Sequence, residues 1–473
     1  MLDKMVPMGR DLIFSSKDDR NIAFGVEICE DVWVPVPPSS YMAQAGALLF
    51  FNLSASNELV GKADYRKGLV ESQSARCVAG YVYASSNCGE SSTDMVYGGH
   101  LIIAENGQLL HESERFYFDN KLAAADVDLG RLSFNRLIMG TFRDGKGALN
   151  YRNIYFDTPQ KTEFYGKPLR HTDRHPFVPA NDDTRNDRCR EILSIQTSGL
   201  EKRIRHTGLQ RAVIGISGGL DSTLAFIVAV RAMKRTGLPA GNVQAVTMPG
   251  FGTTGRTYDN AVSLVKNIGA DLRVVDIKPA CLRHFEDIGH DRENHDVTYE
   301  NVQARERTQI LMDIANKIGG LVIGTGDLSE LALGWSTYNG DHMSMYGVNC
   351  GVPKTLVRYI IQWYADFEAN ETIRNILYDI LDTPISPELL PPSKSGEILQ
   401  KTEDILGPYE VHDFFLYQML RCGAGPAKTL FLAETAFGGE YGREQLKKWL
   451  KVFYKRFFSQ QFKRSCLPDG PKV

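Results

Sequence analysis

Residues 213–222 read Val-Ile-Gly-Ile-Ser-Gly-Gly-Leu-Asp-Ser, and this one turn decides the fold of the second half of the chain. Ala212, Val213, Ile214 and Ile216 make a short strand pattern, and residues 222–230 open a helix pattern rich in Ala, Leu, Ile and Val. Between them, Gly218 and Gly219 remove side chains where the backbone must approach something closely. A strand that turns through glycines into a helix leaves N–H groups and the positive end of the helix dipole free for phosphate oxygens. Ser217 and Ser222 add hydroxyl donors, and Asp221 is placed to share a magnesium ion with such phosphates. No Gly-Lys-Ser/Thr ends the turn, so it is not a Walker A loop. The bland alternative is an ordinary glycine turn of an α/β domain.

Around this turn the pattern is α/β. A helix over 189–206 precedes it; strand 243–247, helix 258–268, strand 272–277, a long helix over 301–317 and strand 321–325 follow. Strands alternating with helices imply a parallel sheet. The last hundred residues read as mostly helical. Residues 1–130 carry their own layered α/β pattern, with strands at 21–28, 47–53, 80–85 and 99–103 and helices at 39–45 and 68–78. Residues 141–187 are polar and irregular, with Pro159, Pro168, Pro176 and Pro179, and read as a linker.

Composition narrows the partners. The 473 residues suggest two domains; 43% hydrophobic and 23% charged residues suit a soluble globular protein. A formal charge of -3 offers no basic excess for nucleic acid. The basic cluster Lys447, Lys448, Lys451, Lys455 and Arg456 falls on a helix pattern and reads as a solvated face. No apolar run reaches membrane-spanning length, and the first residues lack the charged-then-apolar form of a signal peptide. Eight scattered cysteines without a Cys-x-x-Cys pair argue against a zinc ribbon or a disulfide framework and for a reducing cytoplasm.

Three further segments carry chemistry. Asn301-Val302-Gln303-Ala304-Arg305-Glu306-Arg307 opens a helix with Asn301 and Arg305 on one face; it reads equally as a surface helix. Gly324-Thr325-Gly326-Asp327-Leu328-Ser329-Glu330 follows an apolar strand, where ligand groups collect in parallel sheets. Asp327 and Glu330 there are helix-start carboxylates in the plain reading, and Glu330 completes a magnesium site with Asp221 in the functional one. Gly340-Asp341-His342 and Val352-Pro353-Lys354-Thr355 lie in a glycine-rich stretch, with Lys354 a candidate phosphate contact.

The turn resembles the Ser-Gly-Gly-x-Asp-Ser loop of ATP pyrophosphatases, and the ordered set of segments resembles the NAD synthetase family in its large, glutamine-using branch. Gly-Thr-Gly-Asp-Leu-Ser-Glu-Leu-Ala-Leu-Gly-Trp, Tyr-Asn-Gly-Asp-His-Met and the C-terminal Gln461-Phe462-Lys463-Arg464-Ser465 extend that resemblance. It implies ATP-dependent amidation of deamido-NAD through an acyl-adenylate, with release of AMP and pyrophosphate. It assigns ATP to Ser217, Gly218, Gly219, Asp221, Ser222, Thr325 and Lys354. Magnesium goes to Asp221 and Glu330, and deamido-NAD to Asn301, Arg305, Asp341 and Lys463. Ammonia or glutamine supplies the nitrogen, and a homodimer or larger homo-oligomer is implied. Nucleic acid and membrane are not expected partners.

The first region ends a strand in Cys29, followed by Glu30-Asp31. A lone cysteine there is usually a small buried residue. With Asn52-Leu53-Ser54-Ala55-Ser56-Asn57 and Tyr65-Arg66 it resembles the carbon–nitrogen hydrolase (nitrilase) fold that this branch uses as a glutaminase. That resemblance makes Cys29 the nucleophile and sets Glu30 and Ser56 near glutamine. The family's Glu and Lys lie well before the cysteine, and only 28 residues precede Cys29. The expectation is therefore a glutaminase domain at 1–140 lacking its first half and unable to use glutamine, a linker at 141–187 and a synthetase domain at 188–473. The expected fold class is a partial nitrilase-like α/β sandwich, then a Rossmann-like doubly wound parallel sheet of the ATP pyrophosphatase type with a helical C-terminal region. The competing readings are another ATP pyrophosphatase, such as a tRNA-modifying enzyme, and an inactive remnant kept as a binding module.

Overall fold

The computed structural model describes residues 6, 8–145, 150–158, 168–253, 255–383 and 406–473. Pro159 and the rest of 159–167, residues 146–149 of the expected linker, and residues 384–405 of the expected helical end lie outside the described residues. The chain divides into two compact units, one of residues 1–172 with 418–435, the other of 173–417 with 436–473.

The first unit is built on a seven-stranded sheet in the order β6-β5-β4-β3-β2-β1-β7. Its strands are β1 (Leu12–Ser16), β2 (Ala23–Ile28), β3 (Leu49–Ser54), β4 (Gly80–Ser85), β5 (Leu101–Glu105), β6 (Gln108–Glu112) and β7 (Arg152–Phe156). Helices α1 (Pro38–Gln44) and α2 (Lys62–Cys77) make the crossovers that leave β2, β3 and β4 parallel. Two further helices, α3 (Leu129–Ile138) and α4 (Gly140–Asp144), follow β6. The strand period of two decides what is covered. Ala23, Phe50, Tyr81, Tyr83 and Ile102 meet Met42, Val70 and Cys77 of α1 and α2 in one core. Val26, Ile28 and Leu53 point the other way and are exposed.

The second unit holds a five-stranded sheet in the order β10-β9-β8-β11-β12, parallel at every pairing. The strands are β8 (Arg211–Gly215), β9 (Val243–Thr247), β10 (Asp271–Val274), β11 (Gly320–Gly324) and β12 (Tyr346–Gly347). Around them lie α5 (Asp182–Thr207), α6 (Leu220–Arg235), α7 (Gly255–Ile268), α8 (Lys278–Ile288), α9 (Val297–Ile318), α10 (Leu328–Leu333), α11 (Lys354–Phe367) and α12 (Glu371–Leu381). Helices α13 (Tyr409–Cys422) and α14 (Pro426–Phe437), whose residues 418–435 belong to the first unit, and α15 (Arg443–Ser459) and α16 (Gln461–Arg464) complete the described chain.

Both faces of this sheet are covered, which makes it doubly wound. Ala212 and Ile214 of β8 join a core with α5, α6, α11 and α12. Val213, one residue over, joins a second core with Phe285 of α8 and Val302 and Ile314 of α9. Helix α6 is apolar nearly all round, with Leu224 through Val230 almost fully buried, so it is a core helix. Each of its buried Leu, Phe, Ile and Val side chains contributes roughly 1.5–3 kcal/mol by leaving water. The chain runs from β8 outward to β9 and β10, then returns to β11 on the other side of β8. That reversal opens a crevice at the carboxyl ends of β8 and β11.

Two expectations need correction. The stretch 141–187 is not all irregular, because β7 pairs in parallel with β1 from Leu12 to Ser16 and α5 already begins at Asp182. The polar start of α5 is its capping apparatus: Asn181 accepts from the Thr184 N–H at 3.1 Å, and Asp182 and Asp183 sit in the first turn. The strand expected over 272–277 stops at Val274. All eight cysteines are free. Among the described residues no helix is long and apolar enough to cross a membrane.

Candidate active site

The Ser217–Gly219 turn joins β8 to α6 at this crevice. Gly218 has φ +87°, and a β-carbon there would lie 2.1 Å from the Thr257 carbonyl oxygen of α7, so the position requires glycine for both conformation and space. Gly219 is the N-cap of α6. The two serines brace the turn. Ser222 Oγ accepts from the Ser217 N–H at 3.3 Å and donates to the Gly219 carbonyl at 3.1 Å. The Gly219 N–H donates to Ser217 Oγ at 3.2 Å.

Because β11 is in parallel register with β8, with Ile323 opposite Ile214, the segment after β11 arrives beside this turn. Asp327 caps α10 by accepting from the Glu330 N–H at 2.8 Å. From the start of α11, the buried Lys354 ammonium reaches three carboxylates: Asp221 Oδ2 at 2.5 Å, Asp327 Oδ2 at 2.6 Å and Glu330 Oε1 at 2.9 Å. Burial opposes the Lys354 charge, but the three anions outweigh it and hold its pKa well above the usual lysine value. Burial likewise drives Asp327 well above the usual carboxylate range, with Lys354 only partly offsetting it. Glu330 is pushed up to about 7, chiefly by burial, although a quarter of its side chain remains open. One carboxylate oxygen from each of Asp221, Asp327 and Glu330 lies within 4.8 Å of the others, so the group could hold a divalent cation. Asp221 Oδ1 is buried without a hydrogen-bond partner, as a ligand atom awaiting a cation would be.

A second set of residues converges on the 334–341 loop. Thr337 Oγ1 donates to Asn301 Oδ1 at 2.8 Å, and Arg305 Nε donates to the Tyr338 carbonyl at 3.2 Å. Asp341 accepts from the Thr337 N–H at 2.6 Å, and burial raises its pKa. Lys463 of α16 donates to the Gly334 and Ser336 carbonyls at 2.9 and 2.5 Å, and burial lowers its pKa. Both sets line one cavity of about 600 Å³: Ser217, Gly219, Asp221, Ser222, Thr325, Glu330 and Lys354 of the first, and Asn301, Arg305, Asp341 and Lys463 of the second. Gly218 is the exception: it faces Thr257 and does not line the cavity.

Two residues escaped the sequence reading. Asp327 looked like a helix cap, which it is, but it is also completely buried against Lys354. Asn349 carried no signal at all. Fully buried, it donates to the carbonyls of Asp221 at 2.9 Å and Thr325 at 3.0 Å, tying the two loops together, and it accepts from Gln196 of α5 at 3.0 Å.

In the first unit Cys29 directly follows β2 with φ +50°, in the left-handed region, and opens a 3-10 helix, Cys29–Trp33. Its N–H donates to Asn52 Oδ1 at 3.1 Å, and Asn52 Nδ2 returns a bond to its carbonyl at 3.3 Å. Asn52 is thus the neighbour that fixes this corner. Glu30 is exposed on the turn. Ser56 is buried under the fully buried Arg66, which also pairs with Glu58 at 2.9 Å. Lys17 pairs with Asp157 on the surface at 2.9 Å.

A profile of the NAD synthase family matches residues 192–421. A glutamine-dependent NAD(+) synthetase of Mycobacterium leprae is 44% identical, with 100% of this chain and 73% of that protein covered. The chain belongs to the glutamine-dependent NAD synthetase family. Another NAD synthetase of this kind, from Thermotoga maritima, is 30% identical over 92% of this chain and 73% of its own length. The structure of a glutamine-dependent NAD(+) synthetase from Cytophaga hutchinsonii aligns at 20% identity and a TM-score of 0.48, over 95% of this chain and 68% of that one. NAD synthetases of this family are carbon–nitrogen ligases. The alignment to the Mycobacterium leprae NAD synthetase runs along the entire chain and lends no support to a glutaminase domain lacking its first half. Nor do these relatives support the doubt over glutamine use, the tRNA-modifying alternative or the inactive remnant.

Proposed function

We propose that this chain amidates deamido-NAD to NAD at the expense of ATP. A carboxylate oxygen of the nicotinate ring attacks the α-phosphorus of ATP, and the bond to the β-phosphate oxygen breaks to release pyrophosphate. Ammonia then attacks the carbonyl carbon of the acyl-adenylate, AMP leaves, and the extra proton passes to solvent. What supports this reading is that one cavity is lined both by the Ser217–Ser222 turn and by Asn301 and Asp341.

In this reading the turn and the α6 N-terminus hold the pyrophosphate, with Ser217 and Ser222 exchanging their internal bonds for phosphate oxygens. Thr325 and Lys354 contact the phosphates. Asn301, Arg305, Asp341 and Lys463 orient deamido-NAD so that its carboxylate meets the α-phosphorus in line. Little proton transfer is needed, so catalysis rests on positioning and charge stabilisation. Three carboxylates against one ammonium, and the orphaned Asp221 Oδ1, suit magnesium held by Asp221 and Glu330. That ion, when bound, neutralises charge building on the phosphates.

Nitrogen enters as ammonia or is released from glutamine, with the Cys29 sulfur taking the acyl group and water freeing glutamate. We further propose that the glutaminase part lies within 1–140 and the synthetase within 188–473, and that the chain works in the cytoplasm as a homodimer or larger assembly. Incubation with deamido-NAD, ATP, magnesium and ammonia should yield NAD, AMP and pyrophosphate. ADP and phosphate as products would refute the adenylation reading, and sedimentation as a monomer at micromolar concentration would refute the assembly.

A further inference from the structure

Asp327 differs from the two carboxylates with which it shares Lys354. Asp221 and Glu330 line the cavity, with side chains 22% and 25% exposed, whereas Asp327 is at 0% and does not line it. The Lys354 ammonium makes hydrogen bonds to Asp221 and Glu330, while Asp327 Oδ2 sits at 2.6 Å without an aligned hydrogen bond. Behind the lysine, the ammonium also lies 5.4 Å from the ring centre of the buried Tyr409, which is outside the cavity lining too. The lysine therefore has two partners on the cavity side and two on the buried side. Asp221 and Glu330 are thus the two carboxylates that a cation arriving in the cavity would meet.

We infer that Asp327 is a positioning residue that acts through Lys354: it is the partner the ammonium keeps when a divalent cation takes Asp221 and Glu330. By holding the lysine on the buried side it vacates the two cavity-facing carboxylates for the cation and leaves Lys354 at the phosphate end of the site. Without Asp327, the ammonium has no carboxylate to retreat to and competes with the cation for Asp221 and Glu330. This rests on the reading of Asp221 and Glu330 as the cation's ligands.

Asp327→Asn tests it, since asparagine keeps the size and the acceptor that caps α10. Manganese(II) binding to the full chain, followed by electron paramagnetic resonance with and without ATP, is the readout. Asp327→Asn should weaken manganese binding about tenfold or more in the wild-type background. In a Lys354→Gln background, with Lys354→Met as a second in case one does not fold, the same change should cost less than about threefold, because no ammonium competes. An equal loss in both backgrounds would make Asp327 a direct ligand and overturn the inference. So would a lowered melting temperature with unchanged manganese affinity, the mark of a merely structural cap. Failure of the wild-type chain to bind manganese even with ATP would sink the metal reading itself, and the inference with it.

Discussion

Asn349 is the most direct handle on how the site is held together, and its removal has a calculable cost. Its side chain makes three hydrogen bonds: to the Asp221 and Thr325 carbonyls at 2.9 and 3.0 Å, and from Gln196 at 3.0 Å. Each is worth about 0.5–1.5 kcal/mol net, and more where a buried group is left without a partner. Asn349→Ala should therefore destabilise the fold by about 3 kcal/mol, read from urea unfolding. Asn349→Asp should be worse. Its second carboxylate oxygen would replace the amide that faces two carbonyl oxygens, adding repulsion to a buried charge. The same tie fixes the spacing of the Asp221 and Thr325 loops, so ATP affinity by calorimetry, measured well below the melting temperature, should fall about tenfold, or ~1.4 kcal/mol. An alanine variant within about 0.5 kcal/mol of wild type in stability would refute the hydrogen-bond accounting. A destabilised variant with unchanged ATP affinity would refute the claim that the tie serves the site.

Gly218→Ala should lower stability by more than about 2 kcal/mol, since it adds a positive-φ side chain and drives a β-carbon into the Thr257 carbonyl; denaturant unfolding reads it, and a neutral outcome would mean the turn is not packed on α7 as described. Cys29→Ala should abolish glutamine-dependent NAD formation while leaving the ammonia-dependent rate within about twofold, a split that follows if ammonia is the common intermediate; equal loss of both would place Cys29's role in folding. Glu330 has a folded pKa raised to about 7, above the ordinary carboxylate value, chiefly by burial. The native state then holds an extra proton, a contribution fully present below the unfolded pKa and lost as pH rises through 7. Glu330→Gln should gain stability relative to wild type between pH 5 and pH 8 in metal-free urea titrations, and parallel curves would contradict the shift.

Much of the second unit was legible because its signals are local. Strand 243–247 and the helix after the glycine turn follow from periodicity and from Gly218 and Gly219 alone. The segments carrying Asn301, Thr325, Asp341 and Lys463 were readable as motifs, and the structure brings all four to one cavity. What was not legible depends on depth or on distant pairing. Asp327 and Glu330 look alike as helix-start carboxylates, and nothing in the sequence says that one is sealed and the other faces the cavity. Asn349 matters only because two loops from different strands end beside it. Strand β7 is a short run, Arg152 to Phe156, inside a polar stretch, and it exists because β1, some 140 residues earlier, offers an edge to pair with.

On the glutaminase role proposed for Cys29, its corner sets stability against chemistry at a single position. With φ at +50°, the backbone there suits glycine, and carrying any side chain costs on the order of 1 kcal/mol. Selection of variants for heat tolerance alone, with ammonia in the medium to bypass the thiol, should therefore favour glycine at residue 29. The heat-tolerant descendants would be the ones that had given up their own nitrogen supply.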